Sequence, residues 1–372
     1  MSLGAGGYMK RILSLILCIA VSISLFSLTG CGAATSRGAQ IGIVTDVGEL
    51  MDKGFNQGTY EGVKAYAEAN GKTFKYYQPA NGNNASDNDR IAAMRQAINN
   101  GAEIICINGF LQAAAIETVA SEFPDVKIIF VDGWVMKDHP NVTAITYKEH
   151  ESSYLAGYAA VKEGYTKLGG TFGGGGSHPP CNRFGYGFVQ GADAAAREMN
   201  KQITINYSYK FGDTFSASSE LQTQIAGWYS QGCEVVFCAG GSMFDSVKSA
   251  ASEYPNAKII GVDVDQSKES DRVITSATKG LKESIVRVLT DYYAGKWDSS
   301  LSLKEQNLGA AENAVGLPTD TWSLKNFTVE EYQDLFNKIK NGTIVPKSDV
   351  PENGNNAAWL EKGLTNTTIR FE

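Results

Sequence analysis

Histidine is scarce in this sequence, with His139, His150 and His178 the only three among 372 residues. His139 and His178 each precede a proline in a loop-like stretch. The chain also has no Gly-x-Ser-x-Gly segment and no recognisable metal-binding motif. These absences argue against a hydrolase nucleophile or a metalloenzyme, and we expect neither a metal nor an organic cofactor.

Basic residues are outnumbered by acidic ones, 33 Lys and Arg against 40 Asp and Glu, for a net charge of −7. This balance gives no reason to expect binding to nucleic acid or to an anionic membrane surface. Beyond residue 28, no apolar run reaches the length of a membrane-spanning helix. Any attachment to a membrane is therefore expected to depend on the N-terminus.

The N-terminus has the features of a signal peptide. Lys10 and Arg11 precede an apolar run over residues 12–28, which ends at Leu28-Thr29-Gly30-Cys31. The run is too short for a stable span, and its ending resembles the lipobox of bacterial lipoproteins. We therefore expect cleavage before Cys31 and attachment of diacylglycerol to its thiol, which gives two acyl chains, as stable anchoring needs. The alternative is an ordinary cleaved signal with an incidental cysteine.

Four of the six cysteines remain once Cys18 in the signal and Cys31 are set aside. Cys106 and Cys238 lie inside apolar, strand-like runs and are interpreted as buried small hydrophobes. A disulfide between Cys181 and Cys233 is compatible with an extracellular location, but the sequence does not establish it.

From residue 40 onwards, β-branched apolar runs alternate with amphipathic helical patterns. In the first half, strands are predicted at 40–45, 73–78, 104–108, 127–132 and 141–147, and helices at 55–70, 87–100 and 112–123. In the second half, strands are predicted at 167–173, 204–209, 234–239 and 258–263, and helices at 149–162, 185–199, 216–231 and 243–254. This alternation predicts an α/β protein with parallel sheets, and the roughly 340 residues left after processing suggest two lobes.

The two halves share a segment pattern. Residues 102–108 and 123–132 correspond to residues 232–238 and 254–263, each pair being two strands with a Pro-marked helix end before the second. The pattern places Asp132 and Asp263 at the ends of equivalent strands, where parallel sheets bind ligands. Two facing lobes would bring both carboxylates to one cleft. The alternative is that each Asp only caps the following turn.

The chain resembles the basic membrane protein family of bacterial lipoproteins, which includes purine nucleoside receptors of ABC transporters. The segments that carry the resemblance occur in the family's order: Ile-Val-Thr-Asp-Val-Gly at 43–48, Asp-Lys-Gly-Phe-Asn-Gln at 52–57, Gly-Tyr-Gly-Phe-Val-Gln-Gly at 185–191, Ala-Gly-Gly at 239–241, Gly-Val-Asp-Val-Asp-Gln at 261–266 and Ser-Ala-Thr-Lys at 276–279. The resemblance implies a type I periplasmic-binding-protein fold, with two doubly wound lobes joined by a three-strand hinge. It also implies a monomer that binds a small molecule and passes it to a permease without catalysis.

The resemblance further implies a ligand site. Asp46 and Asn56 would contact the purine edge, with Phe55 beside them and Phe215 stacking from the other lobe. Asp263 and Lys279 would meet the sugar, Gly240 and Gly241 would allow close approach, and Asp132 fits the same cleft. Asn56 as a helix cap and Phe215 as a core residue remain alternatives. The Gly173–Asn182 loop is longer and more polar than is usual in the family, and Gly54 replaces a common Ser.

The resemblance also suggests lobe boundaries. The N-terminal lobe is expected to comprise 40–148 and about 275–300, the C-terminal lobe 149–274 and about 305–345, and residues 346–372 a tail. An enzyme, an adhesin or surface antigen, and a sensor lipoprotein that binds a sugar are the alternative functions. Doubly wound folds support many activities, so the choice depends on the site.

The lipobox gives a direct prediction. Cys31→Ser removes the thiol that would accept the lipid, so the variant should be shed or left incompletely processed. Phase partitioning of cells that express either form measures this. Retention of the variant in the detergent phase at the wild-type level would contradict the lipobox assignment.

Overall fold

The computed structural model describes residues 38–45 and 47–372. The predicted signal peptide, the Cys31 lipidation site and Asp46 lie outside the described residues. Residues 39–372 form one compact unit. In the described part of the chain, none of the helices combines the length and apolar character that a membrane span requires.

The N-terminal lobe is a six-stranded, wholly parallel sheet with the order β11-β5-β4-β3-β1-β2. Its strands are β1 (Ile41–Val44), β2 (Phe74–Tyr77), β3 (Ile104–Asn108), β4 (Lys127–Val131), β5 (Val142–Tyr147) and β11 (Glu305–Leu308). Its helices are α1 (Phe55–Asn70), α2 (Asp87–Asn99), α3 (Ala113–Glu122) and α8 (Leu281–Tyr293). The central strands are buried on both faces, as expected for a parallel sheet covered by helices.

The C-terminal lobe has a seven-stranded sheet with the order β12-β10-β9-β8-β6-β7-β13, in which only β12 is antiparallel. Its strands are β6 (Lys167–Phe172), β7 (Ile203–Ser208), β8 (Val235–Ala239), β9 (Lys258–Asp263), β10 (Val273–Lys279), β12 (Val315–Gly316) and β13 (Thr367–Phe371). Its helices are α4 (Glu149–Glu163), α5 (Pro179–Glu198), α6 (Ser219–Ser230), α7 (Met243–Ser252) and α9 (Val329–Lys340).

The two lobes have the same internal strand order. The sequence β2-β1-β3-β4-β5 in one sheet matches β7-β6-β8-β9-β10 in the other. β4 and β9, which precede Asp132 and end at Asp263 respectively, are therefore the equivalent fourth strands. The chain passes between the lobes three times: after β5, after β10 and after β11. This is the predicted fold class.

Two of the predicted lobe boundaries need correction. Residues 273–279 form β10 and pair with β9, so the return to the N-terminal lobe comes after residue 279 rather than near 275. Residues 305–308 form β11 and pair with β5 in the N-terminal lobe, not in the C-terminal one. The predicted tail also contains β13, which pairs with β7. Strand pairing, which local patterns do not encode, decides all three positions.

The start of α5 also differs from the prediction. The helix begins at Pro179, six residues before the expected start, and the Gly174–Gly176 turn leads into it. Proline fits the first turn of a helix because the N–H groups there have no helical acceptor. The nitrogen Nδ1 of His178 accepts a hydrogen bond from the Cys181 amide and caps this helix. The two prolines therefore mark a helix start rather than a loop.

Helices α4 and α5 of the C-terminal lobe pack unusually closely against each other. A Cβ atom added to Gly157 of α4 would overlap the carbonyl oxygen of Phe188 in α5, and one added to Gly191 would overlap that of Tyr154. Glycine is therefore required at both positions to let the two backbones approach. Because α4 begins at the first crossing between lobes, this packing also positions its N-terminal residues.

We predict that Gly157→Ala lowers the free energy of unfolding by about 1–3 kcal/mol, because the new methyl group has no space. Gly227→Ala is the matched control: Gly227 lies within α6, and an added Cβ meets nothing within 4 Å. The control should stabilise by about 0.5–1 kcal/mol through helix propensity. Urea unfolding measures both, and equal effects of the two substitutions would contradict the close helix approach.

Candidate functional site

A cavity lies between the two lobes, at the carboxyl ends of both sheets. It contains about 660 Å³ of empty space, including the part that opens to solvent. Small-molecule sites usually span about 300–1,000 Å³. Its wall is built from the segments that follow the strands of both lobes, which is where parallel sheets bind ligands.

The predicted ligand-binding residues come together here. All of those within the described residues line the cavity: Phe55, Asn56, Asp132, Phe215, Gly240, Gly241, Asp263 and Lys279. Asp46, the remaining predicted residue, lies outside the described residues. The structure thus brings both lobes' predicted residues to one cavity, while their contact with a ligand stays a prediction.

The centre of the site is the buried ammonium group of Lys279, at the end of β10. Its Nζ donates a hydrogen bond to Asp132 Oδ2 at 2.8 Å. It also lies 3.5 Å from Glu149 Oε1 and 3.6 Å from Asp263 Oδ1. The Lys279 side chain is only 3 % exposed. One cation therefore links the fourth strands of both lobes and the first residue of α4.

These contacts set the protonation states of Lys279, Asp263 and Asp132. Burial alone would lower the pKa of Lys279, but the charges of Asp132 and Asp263 raise it above its usual value, so the amine stays charged. Burial raises the pKa of Asp263 to about 7, although Lys279 opposes this shift. Burial likewise raises the pKa of Asp132. Asp263 is therefore partly protonated near neutral pH.

Glu149 is a site residue that the sequence analysis missed. It is completely buried, and Arg183 donates from Nε to its Oε2 at 2.6 Å. Burial would raise the pKa of Glu149, but Arg183 and Lys279 together hold it below its usual range. The sequence offers one indication of this role: Glu149 is the first residue of the helix that follows the first crossing between the lobes. That signal is weak, because acidic residues are common in any first helical turn.

Aromatic rings surround the ammonium group. Lys279 Nζ lies 5.1 Å from the centre of the Phe55 ring, 5.2 Å from that of Phe184 and 5.5 Å from that of Tyr147. Contacts of this length to ring faces are favourable, more so when water is excluded. Phe55 and Phe184 also line the cavity, so the cation shares its aromatic environment with any ligand.

Three non-glycine residues of the cavity wall have left-handed backbone conformations. φ is +53° at Asp132, +65° at Asp263 and +56° at Phe215. Such angles are uncommon for residues other than glycine, less so for Asp, and for a bulky residue such as Phe they mark local strain. Strained backbone concentrates at functional sites, where the surrounding fold holds it in place. The same conformation at Asp132 and Asp263 also shows that the two strand ends are equivalent.

Asp52 is a further carboxylate in the cavity wall that the sequence analysis did not select. It accepts hydrogen bonds from the backbone N–H groups of Gly54, Asn56 and Gln57, at 2.9 to 3.1 Å, and so caps the start of α1. Burial nonetheless raises its pKa. Asp52 therefore shapes the first loop.

Asn56 is engaged within the protein. Its Nδ2 donates to the carbonyl oxygens of Val47 and Glu49, and its Oδ1 accepts from Asn108. Both amide hydrogens are thus used to hold the loop that follows β1. A ligand contact of Asn56 would have to use the remaining acceptor capacity of Oδ1.

Gly240 and Gly241 form the turn between β8 and α7. A Cβ on Gly240 would overlap the Met243 sulfur, and Gly241 has a φ of +55°. Together they bring the N-terminus of α7 to the cavity without side chains in the way. Their close approach to a ligand stays a prediction.

Contacts between the lobes close the cleft at its mouth. Lys53 of the N-terminal lobe pairs with Asp245 at 2.9 Å, and Gln266 Nε2 donates to the Lys53 carbonyl oxygen at 2.7 Å. Asn83 Nδ2 donates to Ser216 Oγ at 2.8 Å. The structure is therefore in a closed arrangement.

The described cysteines are all free thiols. Cys181 lies in the cavity wall with its Sγ directed to the Ala239 carbonyl oxygen, whereas the Sγ of Cys233 faces the Val235 carbonyl oxygen. The structure thus has no Cys181–Cys233 disulfide. Cys106 and Cys238 are completely buried, as predicted. In residues 38–45 and 47–372, no group of His, Cys, Asp and Glu is arranged to hold a metal ion.

Two parallel-sheet lobes, three crossings and a cleft at the strand ends define a type I periplasmic solute-binding protein. The family model described as "ABC transporter substrate-binding protein PnrA-like" matches residues 39–353. The chain belongs to this family, and is thus a substrate-binding protein of the ABC transporter class.

Individual relatives agree with this assignment. The chain is 28 % identical to the ABC transporter nucleoside-binding protein BmpA of Lactococcus lactis, covering 88 % of this chain and 97 % of that one. It is 26 % identical to the CD4+ T-cell-stimulating antigen of Listeria monocytogenes, covering 90 % and 98 %. An ABC transporter solute-binding protein from Aeropyrum pernix superposes with a TM-score of 0.70 at 21 % identity, covering 83 % and 94 %, and supports the fold.

We predict that Asp263→Asn changes how stability depends on pH. A carboxyl group whose pKa is raised on folding favours the native state while it is protonated, and this contribution is lost as the pH rises from about 4 to 7. Asn cannot ionise and tolerates the left-handed backbone. The melting temperature of the ligand-free variant relative to wild type should therefore increase by about 2 °C or more between pH 5 and pH 8. A difference in melting temperature that does not change with pH would contradict the raised pKa of Asp263.

Proposed function

We propose that this protein is a lipid-anchored, extracytoplasmic receptor that captures a purine nucleoside and delivers it to the permease of an ABC transporter. The observation that carries the proposal is the pair of strand-end carboxylates beside Lys279. Asp132 Oδ1 and Asp263 Oδ1 are buried, and no described residue hydrogen-bonds to either. Leaving such an acceptor unpaired is costly, so a ligand hydroxyl or N–H group would be favoured there.

The ligand's two ends match two parts of the cavity. Asp263 beside Lys279 offers a carboxylate that accepts from a vicinal diol, as in ribose, with a neighbouring ammonium donor. Phe55 and Phe215 offer ring faces from opposite lobes, which suit a flat bicyclic base. The word "nucleoside-binding" in the name of the Lactococcus relative supports the same ligand class.

Binding without catalysis is the simpler role for this site. Burial lowers the pKa of His150 to about 4 and that of His178 to about 3, so neither is a strong base near neutral pH. General bases are most effective when their pKa lies near the working pH. The name of the Listeria relative contains the word "antigen", which favours an antigen role as a second candidate function, and such a role needs no bound ligand.

The charges of the cavity wall favour binding of uncharged nucleosides over nucleotides. Among the described residues, Lys279 is the only Lys or Arg in the cavity wall, and it already faces three carboxylates. A phosphate would bring up to two further negative charges into this desolvated space.

We therefore predict that adenosine, guanosine or inosine binds at least about tenfold more tightly than adenosine monophosphate and cytidine, a difference of about 1.4 kcal/mol. Calorimetry on the purified protein measures the affinities, after a thermal-shift screen that includes free bases and pentoses. Chromatography of the recovered ligand checks that it is unchanged. Equal or tighter binding of the monophosphate would contradict the charge argument, and no binding at all would favour the antigen role.

A further inference from the structure

His178 stands in the cavity wall, in the loop that precedes α5. It follows the glycine-rich turn Gly174–Gly176 and precedes the first residue of α5. Its side chain belongs to the C-terminal lobe and lines the same cavity as Asp263 and Lys279.

The hydrogen bond that caps α5 determines which ring nitrogen of His178 carries the proton. The backbone N–H of Cys181 donates to Nδ1 at 3.2 Å, so Nδ1 must be an unprotonated acceptor. A neutral imidazole has one proton, which then resides on Nε2 and makes Nε2 a donor. Burial lowers the pKa of His178 to about 3, so the ring stays neutral in the physiological range. No described residue accepts a hydrogen bond from Nε2.

Two phenylalanines hold the imidazole ring in place. Phe110, from the N-terminal lobe, contacts it edge-to-face with ring centres 4.9 Å apart, and Phe215, from the C-terminal lobe, does so at 5.1 Å. Rings in such arrangements are favourably oriented and resist rotation. Because Phe110 belongs to the opposite lobe, His178 has this surrounding only in the closed arrangement. The Nε2–H group of His178 is therefore held in one orientation when the cleft is closed around a ligand.

We propose that His178 is a specificity-determining residue, which donates from Nε2 to an unprotonated ring nitrogen of the purine base. This inference rests on the proposed nucleoside function, in which Phe215 flanks the base and Asp263 meets the sugar. N3 and N7 are acceptors in every purine nucleoside, whereas the group at position 6 is a donor in adenosine and an acceptor in inosine. A fixed donor that serves all purine nucleosides would therefore meet N3 or N7.

The test compares adenosine with 3-deazaadenosine and 7-deazaadenosine, each of which replaces one ring nitrogen with C–H. Calorimetry is run on wild type, His178→Asn and His178→Phe. Asn retains an acceptor for the helix cap but is too short to replace the donor, and Phe keeps an aromatic ring without a donor. Thermal unfolding checks that each variant is folded.

We expect one analogue to bind wild type at least about tenfold more weakly than adenosine, and this ratio to fall below about threefold in both variants. A merely structural role of His178 would weaken all three ligands equally and leave the ratio unchanged. NMR of ¹⁵N-histidine-labelled wild type gives a second readout that needs no variant. The Nε2 signal should shift on addition of adenosine and much less with the weak analogue.

Two outcomes overturn the inference while adenosine still binds. One is equal affinity of wild type for adenosine and both analogues, and the other is a penalty that persists unchanged in the variants. If wild type binds no nucleoside at all, the proposed function fails and this inference fails with it. Binding of adenosine itself therefore separates the two failures.

Discussion

The charge cluster around Lys279 is the interaction on which the rest of the site depends. One ammonium group, buried at the end of β10, contacts carboxylates from the N-terminal lobe, the C-terminal lobe and the first crossing segment. An isolated buried charge is very unfavourable, whereas a paired and hydrogen-bonded one is tolerated. The three carboxylates keep the amine charged, and the amine holds two of their strand ends together. Substituting Lys279 would leave three buried acidic groups facing one another.

The cluster is arranged for binding rather than for stability. Asp263 is held in a buried position that raises its pKa to about 7, and Asp132, Asp263 and Phe215 all adopt left-handed backbone angles. Each of these features is unfavourable in the ligand-free protein. A ligand that donates hydrogen bonds to Asp132 Oδ1 and Asp263 Oδ1, which have none within the described residues, would offset part of this cost. Contacts such as Lys53 with Asp245 join the two lobes beside this cluster.

Membership of the PnrA-like substrate-binding family accounts for the architecture. The loop that precedes α5 brings His178 into contact with two phenylalanines from opposite lobes. The shared fold thus supplies the cleft and its carboxylates. The loops that follow the strands supply the groups that distinguish one ligand from another, as is general for α/β proteins.

The sequence by itself determined the alternation of strands and helices, the two-lobed fold class and the equivalence of Asp132 with Asp263, because apolar periodicity and repeated segments are local signals. It also identified eight of the residues that line the cavity, drawn from both lobes, but not Asp52 or His178, while Asp46 lies outside the described residues. Only the tertiary structure decided that β11 and β13 join opposite sheets, that Glu149 completes the cluster around Lys279, and that the amide hydrogens of Asn56 are used within the protein. The physical reason is that strand pairing, burial and hydrogen bonding join residues far apart in the chain, and no local pattern records which of them will meet.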